Sequence, residues 1–463
     1  GEAAAPRHAM LSVTTGRVAL GAAPLRLPFR LLLTPVRGAG APREVDFETR
    51  YFHMQRYTTV DQAVSAVPGS WIVLHQGNQL NPYINYPFLT VDALRSYVQE
   101  AHAKGAKVKL YYTVRELSTS ATEFWALRSL GGEVIVPSRN RGGDAWLQEH
   151  VRHNYSAAWH EVLADGEVDS SVHTAAFTTR WDNYWIEGIL WLLRNVDIDG
   201  IYLDGAPYER TTLRRLRAAL EPLVSHRPSP FLLDLHASCA GNPHLPYAEL
   251  YPYIDSIWFG EQCDYASYSP EQWLAEVSGI PFGLQGQVCI LASLSARGDP
   301  RGSALLQVLG DNSVQWKALV FGMTCRIYPD PMRCDPRPLW GAIDRLGLGR
   351  PHILGWWDRA SPVSVSSHGN SSAAHVRASL FYSGATFAIA VANWAPHPVR
   401  FTFGLLWPKL RKLGLPAGAE RTRLRAPAIH GFQSGGEWDV EESLVLGAAG
   451  AGLNEGYLLH LVT

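Results

Sequence analysis

The sequence predicts an α/β chain in which a parallel barrel of (β/α)8 type is followed by an antiparallel β-sandwich and preceded by a partial β segment. Three observations predict it. From about residue 49 to 350, short apolar runs alternate with amphipathic helical patterns, the signature of parallel strands joined by crossover helices. After about residue 360 the pattern shifts to short β-rich runs separated by Gly, Pro and Asn turns, which describes a small sandwich. No Gly-x-Gly-x-x-Gly or Walker-type loop follows any strand, which argues against a doubly wound nucleotide fold. The expected partition is 1–48 for the N-terminal segment, 49–355 for the barrel and 356–463 for the sandwich.

In chain order, Pro24 to Val36 is β-like but too small to bury a core of its own. Trp71 to His75 is a strand, followed by a helix from Val91 to Lys104 with Leu94, Tyr97 and Val98 on one face. Lys107 to Val114 is the next strand, with Tyr111 and Tyr112 near its end, and Thr122 to Leu130 is helical. Gly131 to Arg180 shows no period, and a stretch of that length predicts either a functional lid or short irregular elements. A helix from Asp182 to Asn195 leads into Val196 to Gly205, a run that reads as a buried strand entered and left through Asp-Gly. Further strands are expected at Pro230 to Leu235, Asp255 to Phe259, Gln287 to Leu291 and Cys325 to Tyr328, with a helix at Asn312 to Phe321. The sandwich strands are Ala378 to Tyr382, Ala385 to Asn393, Val399 to Phe403 and Tyr457 to Val462.

Composition narrows the function. A chain of 463 residues with 46% hydrophobic content builds more than one core, and a formal net charge of −1 without basic blocks argues against nucleic acid as a partner. The most apolar helical stretch, Ile186 to Val196, is too short to span a bilayer. No signal peptide is visible at Gly1, so a cytosolic protein or a mature chain lacking its leader is expected, and two sequons, Asn154-Tyr155-Ser156 and Asn370-Ser371-Ser372, favour a secreted or lumenal protein. Among the five cysteines, Cys325 with Cys334 and Cys239 with Cys263 are candidate disulfides, leaving Cys289 as a buried thiol. No Cys/His clustering suggests a metal, and no cofactor is expected.

The chemistry is sought where barrel strands end, because the C-terminal edge of a parallel α/β barrel is where such folds place their sites. Asp204 closes one strand, and its alternative role is to cap the following helix, Thr211 to Leu223. Glu261 follows another strand, with Trp258 and Phe259 able to bury its neighbourhood and raise its pKa as a general acid needs. Two facing carboxyl groups are what hydrolysis of a glycosidic bond requires, so Asp204 is assigned as nucleophile or base and Glu261 as acid/base. Asp234 is the rival for the second carboxylate. His75, Gln76, Asn78, Arg115, Asp234 and His236 are candidates for gripping hydroxyls. The chain holds 16 Trp and 19 Tyr, and rings such as Trp258 and Tyr265 suit the C–H faces of a sugar. Trp185 and Trp191, on a helix, are expected in the core.

Together Pro28 to Arg37, Asp199 to Gly205 and Trp258 to Tyr265 resemble glycoside hydrolase family 123. The resemblance implies a barrel flanked by β-sandwiches, exo-acting β-N-acetylgalactosaminidase activity, and an adjacent Asp-Glu pair that works with the substrate's own acetamido group. At the best-matching position Asp204 is followed by Gly205, so the pair is absent there. The remaining expectation is a hydrolase acting on a saccharide or glycoconjugate, exo-acting and retaining, with Asp204 and Glu261 on separate strands and no cofactor. The competing readings are a non-catalytic saccharide-binding protein that keeps the barrel, and another barrel hydrolase or lyase.

Overall fold

The structure is a computed structural model. It describes the chain except residues 1–20, 22–25, 27–30, 37–42, 114, 139–153, 164, 176–178, 206–208, 238–244, 260–262, 264, 266, 289–312, 328–334, 368–374, 417–421, 449–452 and 463. Residues 34–463 form one compact unit. Of the β-like N-terminal piece, the described residues 31–36 adopt no strand.

Eight parallel strands form the barrel: β1 (Tyr51–Met54), β2 (Trp71–Leu74), β3 (Lys107–Thr113), β4 (Gly200–Asp204), β5 (Leu232–Ala237), β6 (Ser256–Phe259), β7 (Gln285–Val288) and β8 (Thr324–Cys325). The sheet runs in chain order from β1 to β8. It closes where Ile327 bridges Phe52, with His53 N donating to Ile327 O at 2.8 Å and Ile327 N to Tyr51 O at 2.9 Å.

Side chains alternate across each strand because the pleat has period two. Outward residues such as Ile72, Val108, Leu110, Ile201, Leu203, Leu233 and Ile257 pack under the surrounding helices. Inward residues Tyr51, Trp71, Val73, Tyr111, Tyr202 and Trp258 form a separate aromatic interior.

The helices include α1 (Val60–Ala66), α2 (Val91–Ala103), α3 (Arg180–Val196), α4 (Arg210–Val224), α5 (Pro270–Glu276) and α6 (Ser313–Val320). α3 shows why they begin and end where they do. Thr179 and Asp182 make a reciprocal capping box at its start, and Asp197 stops it in the left-handed region at φ 66°. That turn feeds β4 through Gly200, where a Cβ would run into the Leu232 carbonyl oxygen, so only glycine lets β4 lie this close to β5.

The aperiodic segment between β3 and α3 contains short elements. Glu116–Ser118, Val168–His173 and Ala157–Val162 form a three-stranded antiparallel sheet. Buried Asp169 ties this sheet to the loop after β2, accepting from Ile84 N at 2.8 Å and from the Ser118 and Ser120 hydroxyls.

Beyond the barrel, a seven-stranded sheet (Arg43–Glu44, His352–Leu354, Val376–Ser383, Thr386–Asn393, Gly456–Val462, Arg423–Ala426, Gly436–Asp439) faces a three-stranded sheet (Val363–Ser367, Val399–Leu405, Leu444–Leu446). Phe387, Ile389, Val391 and Leu459 fill the space between the two sheets with Phe401 and Leu446. The alternate residues Ala388, Ala390, Ala392 and Leu458 join the barrel's own core instead. Ser379 donates to the Val320 carbonyl at the end of α6, at 2.6 Å.

The expected Cys325–Cys334 bridge is not formed: Cys325, in β8, is a buried thiol that takes part in no disulfide. Cys263 takes part in a disulfide, and Cys239, its expected partner, lies outside the described residues. Trp185 is in the core at 3% exposure, whereas Trp191 is 39% exposed, because it falls on the solvent-facing stripe of α3. Asn370 and Ser371–Ser372 lie outside the described residues.

Candidate active site

Asp204 ends β4, in register with Thr113 on β3 and His236 on β5, and its side chain points into the mouth of the barrel. His236 Nδ1 lies 2.8 Å from one carboxylate oxygen, and the Tyr111 hydroxyl donates to the other. The helix that follows β4 has Glu209 at its N-cap, so the carboxylate of Asp204 is engaged across the barrel and not in capping. Burial pushes the Asp204 carboxyl up, but the neighbouring His236, the Tyr111 hydroxyl and His75 together outweigh it and hold the group down at about 2. Asp204 is thus an ionised carboxylate, 33% exposed, at the end of a barrel strand.

The surrounding rings fix this arrangement. His75 packs on Tyr111 at 4.0 Å between centroids, and Tyr111 stacks on Tyr202 at 5.4 Å. His75 Nδ1 pairs with the Gln76 carbonyl at 2.7 Å. Beneath them the Arg326 guanidinium lies over the rings of Tyr202 and Trp258, at 5.4 and 5.2 Å, and donates to His53 Nδ1 at 2.6 Å. Burial lowers the pKa of His53, and the charge of Arg326 lowers it further, so His53 is neutral and accepts that hydrogen bond. His236 Nε2 is buried and has no hydrogen-bond partner among the described residues.

The other sequence-selected residues do not touch the Asp204 carboxylate among the described contacts. Asp234, one inward position below His236, is fully buried and paired with Lys109 Nζ at 2.5 Å; Ser256 donates to its other oxygen at 2.8 Å. The Lys109 ammonium sits 4.7 Å from the rings of both Tyr51 and Trp71. Asp234 therefore belongs to the barrel's interior packing. Gln76 and Asn78 shape the turn after β2: Gln76 accepts from Asn85 N at 3.3 Å, and Asn78 accepts from Leu80 N at 2.9 Å. Arg115, at φ 45°, starts the excursion and accepts from Thr174 N through its carbonyl at 2.7 Å. Trp258 is wholly inside the barrel, and Tyr265 packs on Trp273 at 5.1 Å, so neither presents a ring face to solvent. Glu261 lies outside the described residues.

Sequence reasoning missed Tyr111, His53 and Arg326 as parts of this site. Tyr111 was recoverable: in Lys107–Thr113 the inward set Lys109, Tyr111, Thr113 alternates with Val108, Leu110, Tyr112. Asn85, at φ 54°, was also missed. Its amide bonds the Thr113 hydroxyl and the Glu116 carbonyl and accepts from Thr113 N, which fixes the end of β3 beside Asp204.

An ionised carboxylate at the C-terminal mouth of a β/α barrel, with a β-sandwich packed behind, is the layout of a barrel glycoside hydrolase. The chain belongs to glycoside hydrolase family 123: the model of that family's TIM-barrel domain matches residues 43–328 and that of its C-terminal domain matches residues 335–460. No curated protein matches the chain by sequence. Among solved structures it is similar to a maltogenic α-amylase from Thermotoga neapolitana, at 12% identity and TM-score 0.53 over 90% of this chain and 100% of that one. It is likewise similar to an α-amylase from Geobacillus thermoleovorans, at 12% identity and TM-score 0.54 over 90% and 99% of the two chains. These likenesses are of fold.

Proposed function

We propose that the protein hydrolyses a glycosidic bond of a saccharide or glycoconjugate, exo-acting and retaining, with Asp204 as nucleophile or base and Glu261 as proton donor. The observation that supports this most is the state of Asp204. A group held near pKa 2 by His236 and Tyr111 is ready to attack or to accept a proton at neutral pH, and it is unfit to donate one. The donor must then come from elsewhere, and Glu261, two positions beyond the end of β6 in sequence, is the assigned partner. The His236 and Tyr111 contacts hold the carboxylate in place, so that little reorganisation is needed as charge develops at the sugar.

The test is a panel of aryl glycosides, aryl β-N-acetylgalactosaminide included. Wild type is expected to release the aryl group, Glu261→Gln to lose turnover most on poor leaving groups, and Asp204→Gly to lose turnover and regain it with azide. Recovery as a glycosyl azide of inverted configuration supports retention. Unimpaired turnover in Asp204→Gly would end the assignment.

A further inference from the structure

The outer face of the barrel carries a second concave site away from the strand ends. Tyr184, Glu187, Gly188 and Trp191 fall at i, i+3, i+4 and i+7 on α3 and so form one stripe, which runs beside the buried stripe of Trp181, Trp185, Ile189 and Leu192. This stripe lines a cavity of about 470 Å³, within the size range of small-molecule sites, and Phe88 and Glu123 close the cavity from the other side. Gly188 is what opens it: a Cβ there would press on the Phe88 ring at 3.2 Å. Trp191 meets Phe88 edge-on, centroids 5.7 Å apart, and leaves its indole 39% exposed.

Two carboxylates face this apolar floor. Glu123 is oriented by two phenols, with the Tyr86 hydroxyl at 2.6 Å and the Tyr184 hydroxyl at 3.1 Å on the same oxygen, Oε2. Glu187 stands one turn before Trp191, and neither carboxylate forms an ion pair among the described residues. An exposed indole beside fixed acceptors matches a ligand with flat C–H faces and outward hydroxyl donors.

We propose that this cavity is a non-catalytic saccharide-binding site, in which Trp191 stacks on a sugar ring and Glu123 and Glu187 accept its hydroxyls. The choice of ligand class rests on the glycoside hydrolase reading. A cationic ligand is the lesser fit, because the two phenol hydrogen bonds already disperse the Glu123 charge and favour directional bonding over a bare ion pair.

The test is native affinity electrophoresis of the full chain in gels holding amylopectin, xylan, galactomannan or glycol chitin, with aryl-glycoside turnover measured in parallel. Expected is retardation of wild type by at least one polymer. Trp191→Ala and Glu187→Gln should weaken the apparent affinity about tenfold, as loss of an anchoring aromatic or acceptor does, and leave turnover unchanged. Asp204→Asn should lose turnover and keep the retardation. Absence of retardation by every polymer, retardation unaffected by Trp191→Ala, or binding of spermine in place of sugar would each overturn the site. The first of these with wild-type turnover intact leaves the hydrolase reading standing; wild type that is retarded but turns over no aryl glycoside removes that reading and keeps the site.

Discussion

His236 Nδ1 and Asp204 Oδ1 are 2.8 Å apart because their residues are direct register partners on neighbouring strands. The contact needs no loop, only the β4–β5 pairing and the inward direction shared by paired residues of a barrel. The charge state of Asp204 follows from it.

Removing that contact should move the titration of Asp204. With a native value near 2 against an ordinary Asp near 3.9 in the unfolded chain, the fold favours the ionised form. The stability it lends is present above pH about 4 and lost as pH falls towards 2. In wild type the acid limb of kcat/KM above pH about 4 therefore does not belong to Asp204. In His236→Gln, and by a smaller amount in Tyr111→Phe, the carboxyl rises and an acid limb should shift upward; a pH–rate profile on the best aryl glycoside checks it, and superimposable limbs would refute the coupling.

Lys109 and Asp234 share the barrel interior with no exposure on either side chain. Lys109→Met strands the Asp234 carboxylate, which typically costs about 3–5 kcal/mol for a buried pair broken on one side. The double variant Lys109→Met with Asp234→Leu should recover much of that loss. Thermal unfolding followed by circular dichroism gives the comparison, and a single variant as stable as wild type would show that the pair contributes nothing.

Gly200→Ala should destabilise by about 1–3 kcal/mol or more, since the added methyl meets the Leu232 backbone oxygen and lies 3.1 Å from Lys109 Cγ. The β4–β5 spacing must widen to admit it. Turnover per folded molecule should fall with stability, since Asp204 is four residues along the same strand. A Tm within a degree of wild type would contradict the close approach.

Cys325 is buried and outside any disulfide, so a thiol reagent should modify it only after unfolding. Cys263 should need reduction before it reacts. Peptide mapping by mass spectrometry after alkylation, native against denatured and with or without reductant, distinguishes the two; labelling of Cys325 in the native protein would be the contrary result.

The barrel was readable because its outward strand faces are continuous apolar runs bounded by Gly and Asp, as around Ile201 and Leu203. β1 was not identified because Tyr51–Met54 carries His53 inward, a polar position that makes no sense until the barrel closes on Arg326. The excursion after β3 was unreadable for a related reason. Its strands are held by the buried hydrogen bonds of Asp169 as much as by a hydrophobic face, and such bonds have no periodicity in sequence. At the site, Asp204 and His236 were each visible as strand-end residues, but their pairing with each other and with Tyr111 was not. Tyr111 and His236 lie 93 and 32 positions from Asp204 in the chain, and only strand order brings them together.

The pairing of Asp204 with His236 also makes alignment and chemistry inseparable. A one-residue slip of β5 along β4 would turn His236 outward and bring a leucine or alanine opposite the carboxylate, while costing few backbone hydrogen bonds. Such a misaligned barrel would keep its circular-dichroism spectrum and lose the charge balance at its mouth. The acid–base behaviour of a single aspartate is thus a readout of whether this chain has closed its barrel correctly, and the loops beyond the strands are left at liberty to diversify in sequence without erasing it.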